Sequence, residues 1–318
     1  MNDLIVGVGA ALMRIAIIGR TEILYETALL LRKNGYEVVL IFTAKESLEY
    51  TKTSSDFLAL ADEWKIPFIC SHHINEMIDV MQDMEPINIG VSLNYTGIIP
   101  QSIIDLFSMG ILNAHGGDLP RYRGNACQSW AILNGESYVG LCIHKMIGGE
   151  IDSGDIIARD YYPLTLNTKV TEVHSWMSEK IPQLFVIALQ KLEKNPNYFL
   201  EQQSKEPRDS LRCYPRKPED GRINWDKSNV EILRLINACN RPYAGAFCEF
   251  KSKKVIIWDA ELAIDENFLA ISGQITFIGA DFIEVATGRG KLRIKEIEIE
   301  GQLKNPSLVF RSIRQRLS

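Results

Sequence analysis

The pattern of hydrophobic and polar positions switches repeatedly between two periods along the first half of the chain. RIAIIG (14–19) is a short apolar run typical of a buried strand, whereas EILYETALLLRKNG has apolar residues at helical spacing and ends at Gly35. Similar runs predict strands at 37–44, 67–71, 87–93, 111–115 and 140–146, and helices at 55–64, 74–84 and 99–107. This alternation predicts a mostly parallel sheet with helices on both faces.

The pattern changes in the second half of the chain. A long amphipathic helix is predicted at 170–194, with a kink at Pro182, and the polar segment 194–210 is typical of a linker. The next helix begins with a capping box of Ser228 and Glu231, and five short strand-like runs follow between 245 and 301. We therefore expect an α/β protein: a Rossmann-like domain at 13–205 and a small β-rich, OB-like open barrel at 206–318. Residues 1–12 form an N-terminal extension or a first strand.

Composition narrows the class of protein. A chain of 318 residues fits two domains, and no apolar run is long enough to span a bilayer. The net charge is -5; residues 206–318 carry 19 basic and 16 acidic side chains, which does not favour a nucleic-acid partner. Six scattered cysteines without a CxxC pair indicate reduced thiols and a cytoplasmic location. His72 and His73 are adjacent, so no metal site is expected.

Polar residues that could take part in a reaction lie at or after the ends of two predicted strands. Asn113 and His115 are two residues apart, so both side chains point to one face of their strand. Asp152 lies in the glycine-rich loop GGEIDSGDI (148–156), after a strand expected beside that of His115. Taken singly, each is more typical of a structural residue: Asn113 of a strand-end cap, His115 of a hydrogen-bonded loop histidine and Asp152 of an Asx turn. His144 is interpreted as a residue of the strand interior.

Together, these three residues are suited to acyl transfer to an amine. The amide can donate to a developing oxyanion, the imidazole can accept the amine proton, and the carboxylate can hold the imidazolium. No serine or cysteine is obviously placed as a covalent nucleophile, because Cys127 has no evident partner. Direct transfer therefore fits better than a covalent intermediate.

Two segments resemble a known family. NAHGGDLPRYRG (113–124) resembles the Asn-x-His…Leu-Pro-x-Tyr-Arg-Gly signature of folate-dependent formyltransferases, and DSGDI (152–156) is similar to their Asp-x-Gly-Asp-Ile element. GRINWDKSNVEILRLINACNRPYAGAF (221–247) resembles the start of the second domain shared by methionyl-tRNA formyltransferase and several sugar N-formyltransferases. The chain departs from the commonest pattern at HGGD (115–118), where many members have Ser-Leu, and at Asn125.

The resemblance carries expectations for the site. It implies 10-formyltetrahydrofolate as formyl donor, an amine as acceptor, no metal, and Asn113, His115 and Asp152 as catalytic residues. It also implies contacts from the donor to two segments, which comprise Gly97, Ile98 and Ile99, and Gly148, Gly149, Glu150, Ile151 and Asp152. A homodimer is a further implication.

The sequence is compatible with several acceptors. A glycinamide ribonucleotide formyltransferase would end after the first domain, and a methionyl-tRNA formyltransferase must hold a polyanion, which the charge supports weakly. We favour a nucleotide-linked amino sugar, and the resemblance implies a 4-amino-4,6-dideoxy sugar of glycan biosynthesis. Its base and diphosphate would be bound by aromatic and cationic side chains, namely Tyr122, Arg123, Arg216, Lys217, Arg222 and Trp225. Alternatives are methionyl-tRNA formyltransferase, a formyl hydrolase and a non-catalytic folate-binding protein.

Overall fold

A computed structural model describes residues 12–47, 50–264 and 267–318, so residues 1–11 of the expected extension lie outside the described residues. The chain forms two compact units, each described by itself. The first comprises Met1–His115, Leu141–Asp160 and Ser178–Asp209, and the second comprises Gly116–Gly140, Tyr161–Met177 and Ser210–Ser318. The units interleave along the chain, and the expected single boundary after residue 205 stays a prediction.

A seven-stranded sheet with the order β3-β2-β1-β4-β5-β7-β8 organises the first unit. Strands β1 to β5 pair in parallel, and β7 is antiparallel to β5. The strands are β1 (Arg14–Gly19), β2 (Glu37–Thr43), β3 (Phe68–Cys70), β4 (Ile89–Leu93), β5 (Ile111–His115), β7 (Tyr138–Lys145) and β8 (Ile156–Pro163). The predicted mostly parallel α/β sheet is confirmed.

Helices connect these strands as the hydrophobic pattern predicts. They are α1 (Glu22–Lys33), α2 (Ser54–Trp64), α3 (Glu76–Met81), α4 (Gln101–Ile104) and α6 (Val170–Lys194). Helix α1 begins where the Thr21 side chain accepts from Leu24 N, and its face of Leu24, Ala28 and Leu31 is buried. Helix α6 continues as helix past Pro182. None of the described helices is long and apolar enough to cross a bilayer.

The second unit holds the β-rich part of the chain. Strands β10, β11, β14, β13 and β12 form an antiparallel sheet in that order, with β15 paired to β14. Its elements are β6 (Tyr122–Gly124), α5 (Cys127–Asn134), β9 (Leu211–Cys213), α7 (Asn229–Ala238), β10 (Ala246–Phe250), β11 (Lys253–Leu262), β12 (Ile275–Ile278), β13 (Ile283–Ala286), β14 (Lys291–Ile299), β15 (Gln302–Lys304) and α8 (Pro306–Val309). The predicted capping box of α7 is present, and the open β-rich architecture is confirmed.

Candidate active site

The site is built on one face of the sheet, where β5 and β7 pair. Asn113 lies directly opposite His144 in this antiparallel register, and His115 lies opposite Cys142. Because side chains two residues apart share a face and directly opposed residues do too, Asn113, His115 and His144 present to the same side. The rings of His115 and His144 are 6.3 Å apart between centroids, nearly perpendicular at 82°. A buried polar cluster results within the first unit.

Asp152 lies against both imidazoles. Its Oδ2 is 3.4 Å from His115 Nδ1, and its Oδ1 is 3.4 Å from His144 Nε2. The side chains of His115 and His144 are 7% and 2% exposed and that of Asp152 is 15% exposed, so little water screens the cluster. A carboxylate that accepts from Nδ1–H of His115 holds this ring with Nε2 as its basic nitrogen. This arrangement can serve as a general base with the group that orients it.

His144 lies beside the amide of Asn113. Its Nδ1 is 2.9 Å from the carbonyl oxygen of Lys145, and because a carbonyl only accepts, Nδ1 carries the proton. In the neutral ring, Nε2 is then an acceptor for Asn113 Nδ2 at 3.4 Å, whereas in the protonated ring Nε2 donates to Asp152 Oδ1, also at 3.4 Å. With the neutral ring, one amide N–H of Asn113 is directed to His144, which leaves the second for an oxyanion.

The loop between β7 and β8, residues 146–155, is pinned at several points. Lys145 N donates to Asp155 O at 2.9 Å, and Gly154 packs so closely on the Lys145 carbonyl that a Cβ would overlap it. Gly148 N donates to Gln101 Oε1 at 2.8 Å, and a Cβ at Gly148 would overlap the Gln101 backbone. Glycine at both positions therefore allows the loop to lie close against its neighbours.

These contacts bring together the two segments expected to bind the donor. Because Gly148 contacts Gln101, residues 97–101 and 148–152 are neighbours within the first unit. Ile98 and Ile151 are exposed apolar side chains, at 75% and 45%, whereas Ile99 is buried in the core. Gly97, Gly149 and Glu150 lie in the same two segments, and their assignment to the donor stays a prediction.

The residues expected to bind the acceptor all lie in the second unit, in different surroundings. Tyr122 is 3% exposed, and its hydroxyl donates to Glu136 Oε1 at 2.6 Å and accepts from Asn134 Nδ2 at 3.0 Å. Burial, together with Glu136, raises the pKa of Tyr122 to about 12. This tyrosine is therefore a packed residue, and a stacking role for it is not supported. Arg123 lies in register with Arg212 on β9.

Two of the predicted cations line a cavity of about 130 Å³ in the second unit. Arg216 and Lys217 meet there with Ser129, Cys239 and Tyr243. The Arg216 guanidinium lies 5.1 Å from the centroid of the Trp130 ring and donates to Asp220 O at 3.0 Å. The cavity combines mainly apolar walls with two positive charges, a combination suited to an anion that carries an apolar group.

The other two predicted acceptor residues are engaged within the β-rich part. Arg222 pairs with Glu249 at 2.9 Å, and both side chains are about half exposed, at 53% and 45%. Trp225 is 5% exposed and packs in the core of the second unit, where it also borders a shallow groove of about 440 Å³ shared with Arg222 and Arg316. This burial favours barrel packing for Trp225 over a nucleotide slot.

Two functional candidates were not predicted from the sequence. His144 was interpreted as an interior strand residue, although its place opposite Asn113 follows once β7 is paired antiparallel to β5. Gln203 fell in the predicted linker but is 4% exposed, and its amide binds the loop that carries Asp152. Within the described residues, no group of three His, Cys, Asp or Glu side chains could hold a metal ion.

Comparison with known proteins identifies two matching domain families. Residues 13–189 match the formyl transferase family, and residues 216–310 match the formyl transferase C-terminal domain. The methionyl-tRNA formyltransferase of Citrifermentans bemidjiense is 28% identical over 302 residues, which cover 93% of this chain and 92% of that protein.

Solved structures share the fold at lower identity. The N-formyltransferase of Helicobacter canadensis, crystallised with folinic acid and dTDP-3-aminofucose, has a TM-score of 0.68 at 20% identity and covers 89% of this chain and 99% of that chain. HypX from Aquifex aeolicus in complex with tetrahydrofolic acid has a TM-score of 0.61 at 16% identity over 96% of this chain. This chain spans about half of HypX, 48% of its length.

The fold and the site together define an enzyme of group transfer, with an amide, an imidazole and a carboxylate on one sheet face. The matched families cover both parts of the chain. The chain belongs to the formyl transferase family, and its identification with the folate-dependent formyltransferases is confirmed.

Proposed function

We propose that this enzyme moves the formyl group of 10-formyltetrahydrofolate to the amino group of a nucleotide-linked amino sugar. The observation that carries the reaction is the 3.4 Å approach of Asp152 Oδ2 to His115 Nδ1, beside the Asn113 amide. The neutral amine attacks the formyl carbon, a new N–C bond forms, and the bond from that carbon to N10 of the donor breaks. His115 accepts the amine proton, and the departing N10 takes up a proton.

Each of the three side chains has a distinct task in this step. The free N–H of Asn113 donates to the formyl oxygen as negative charge develops on it. His115 Nε2 receives the proton, and the Asp152 carboxylate stabilises the imidazolium that forms. The low exposure of His115 and Asp152 strengthens their interaction, because few water dipoles compete.

The residues also fit the donor. Gly148 leaves no room for a side chain against Gln101, so the loop presents its backbone groups, and exposed Ile98 and Ile151 offer apolar surface to a pterin. The N-formyltransferase of H. canadensis and HypX were each crystallised with a folate, and their fold likeness to this chain supports the same choice.

For the acceptor, charge and the cavity of the second unit support a sugar nucleotide. A net charge of -5 gives no broad positive field for a tRNA, whereas Arg216 and Lys217 beside a small apolar cavity suit a phosphate group of a sugar nucleotide. We extend the proposal to a 4-amino-4,6-dideoxy sugar of glycan biosynthesis, and to a homodimer in the cytoplasm.

Methionyl-tRNA formyltransferase is the second candidate. One observation favours it: the similar protein from C. bemidjiense, which bears that name, aligns over 93% of this chain. The net charge of -5 does not favour it.

A panel assay decides between these acceptors. The enzyme is given 10-formyltetrahydrofolate with 3-amino and 4-amino sugar nucleotides, or with methionyl initiator tRNA, and the formyl gain of each acceptor is followed by mass spectrometry. Formylation of a sugar nucleotide at low enzyme concentration supports the proposal. Formylation of the tRNA alone overturns the acceptor, and donor binding without transfer to any amine supports a non-catalytic folate-binding protein.

A further inference from the structure

Gln203 contacts the loop of Asp152 from a distant part of the chain. Its side-chain Nε2 donates to the carbonyl oxygens of Asp152 at 2.9 Å and Gly154 at 2.6 Å. An amide nitrogen has two N–H groups, so this one side chain satisfies both carbonyls that flank Ser153. Gln203 is 4% exposed, which means that water cannot readily replace these bonds.

The segment that carries Gln203 is itself fixed to β8. Ile156 forms an antiparallel bridge with Glu201, in which Ile156 N donates to Glu201 O at 2.9 Å and Leu200 N donates to Ile156 O at 2.7 Å. Arg159 adds an ion pair to Glu201 at 3.2 Å. The backbone just before Gln203 is therefore tied to the strand that follows the loop.

The conformation of Asp152 explains why such a support matters. Its φ of 49° lies in the left-handed region, which costs energy for a residue with a Cβ. The direction of the Asp152 side chain follows from this backbone geometry, and the carboxylate must reach His115 and His144 together. A donor that binds the carbonyl of Asp152 and that of Gly154 holds the two peptide planes that follow Asp152 and Gly154.

We propose that Gln203 is a positioning residue that sets the Asp152 carboxylate against His115. The expected effect on formyl transfer rests on the proposed function. The expected effect on the contact between Asp152 and His115 does not. The segment predicted as a linker thereby helps to organise the site. Gln203 itself contacts neither the formyl donor nor the amine acceptor in the proposed reaction.

The kinetic test compares two neighbouring glutamines. Gln203→Leu removes both N–H donors at similar volume, and Gln202→Leu is the matched control because Gln202 is exposed. We expect kcat of formyl transfer to fall about 10- to 100-fold in Gln203→Leu with little change in KM, since displacements of a catalytic group by about 1 Å have effects of this size. Gln202→Leu keeps the wild-type kcat.

A double-mutant cycle separates positioning from general destabilisation. If Gln203 acts through the Asp152 carboxylate, Gln203→Leu has little further effect on kcat in an Asp152→Ala background. Full additivity of the two losses would overturn the proposal. Should Gln203→Leu fail to fold, Gln203→Asn carries the same test, because its amide is one carbon too short to reach both carbonyls.

A spectroscopic readout keeps the inference separate from the proposed function. Nitrogen-15 NMR of labelled histidine reports the tautomer of His115 without any substrate, at a pH where the ring is neutral. We expect the Nδ1–H form to dominate in wild type and Gln202→Leu, and to lose population in Gln203→Leu as it does in Asp152→Ala. An unchanged tautomer in Gln203→Leu overturns the positioning role even if transfer is observed. If no amine is formylated but the tautomer shifts, the proposed function fails and the positioning role stands.

Discussion

Replacing Asp152 with Asn tests the role of its charge. The two side chains have almost the same shape, so Asp152→Asn keeps the contact to His115 and removes the negative charge. Asp152 lies 3.4 Å from both His115 Nδ1 and His144 Nε2 and is only 15% exposed. The charge is therefore placed to stabilise an imidazolium at His115 during amine attack.

The magnitude follows from Coulomb's law. Unit charges about 4 Å apart at an effective dielectric constant of about 20 attract by about 4 kcal/mol. Because the imidazolium exists in the transition state and not in the ground state, this energy appears in the barrier. Its loss lowers kcat about 10³-fold. We expect KM for the donor and acceptor to change far less, since the charge has no role in holding the ground state.

The assay measures initial rates of formyl transfer at saturating donor and acceptor, with circular dichroism to confirm folding of each variant. Asp155→Asn is the matched control: it changes an aspartate of the same loop whose backbone carbonyl, not its carboxylate, binds Lys145 N. The reasoning is refuted if Asp152→Asn, correctly folded, keeps the kcat of Asp155→Asn.

Three more outcomes are expected. Asn113→Ala removes the oxyanion donor and lowers kcat by about 10²- to 10³-fold in the same assay; an unchanged kcat excludes that role. His144→Leu removes the ring nitrogen that lies against the Asn113 amide, so kcat falls about 10- to 100-fold. In a double-mutant cycle, the effect of His144→Leu on kcat largely disappears in the Asn113→Ala background. Hydrogen bonds from the Ser228 hydroxyl and backbone lower the pKa of Glu231 to about 2, so the folded state gains stability above the ordinary value of 4.5 and loses it as pH falls towards 2. The melting temperature of Glu231→Gln is therefore below that of wild type at pH 7, and the gap closes in that acidic window; a gap that does not depend on pH contradicts this reasoning.

The sequence predicts the order of elements well because local patterns decide it. The runs at 14–19 and 111–115 match β1 and β5 at both ends, and the capping box of Ser228 and Glu231 marks the start of α7. The same-face relation of Asn113 and His115 needs only the two-residue period of a strand. These features depend on residues close together in the chain.

What the sequence could not provide depends on pairing between distant segments. From the sequence alone, His144 is typical of a strand interior. Only the antiparallel register of β5 and β7 shows that it lies opposite Asn113. Gln203 lies in a polar segment, yet it becomes buried because Glu201 pairs with Ile156. Tyr122 and Trp225 are amphipathic residues, and only tertiary packing decides whether such side chains face a ligand or a core.

The interleaved units have a consequence for how this enzyme can change over evolution. Asn113, His115, His144 and Asp152 all come from the first unit, whereas Arg216 and Lys217, which we propose for the acceptor, come from the second. If Arg216 and Lys217 bind the acceptor as proposed, substitutions in 116–140, 161–177 and 210–318 alter which amine is accepted while the reactive groups stay intact. A directed-evolution library confined to those ranges is expected to yield new acceptor preferences at a much higher frequency than one confined to the first unit.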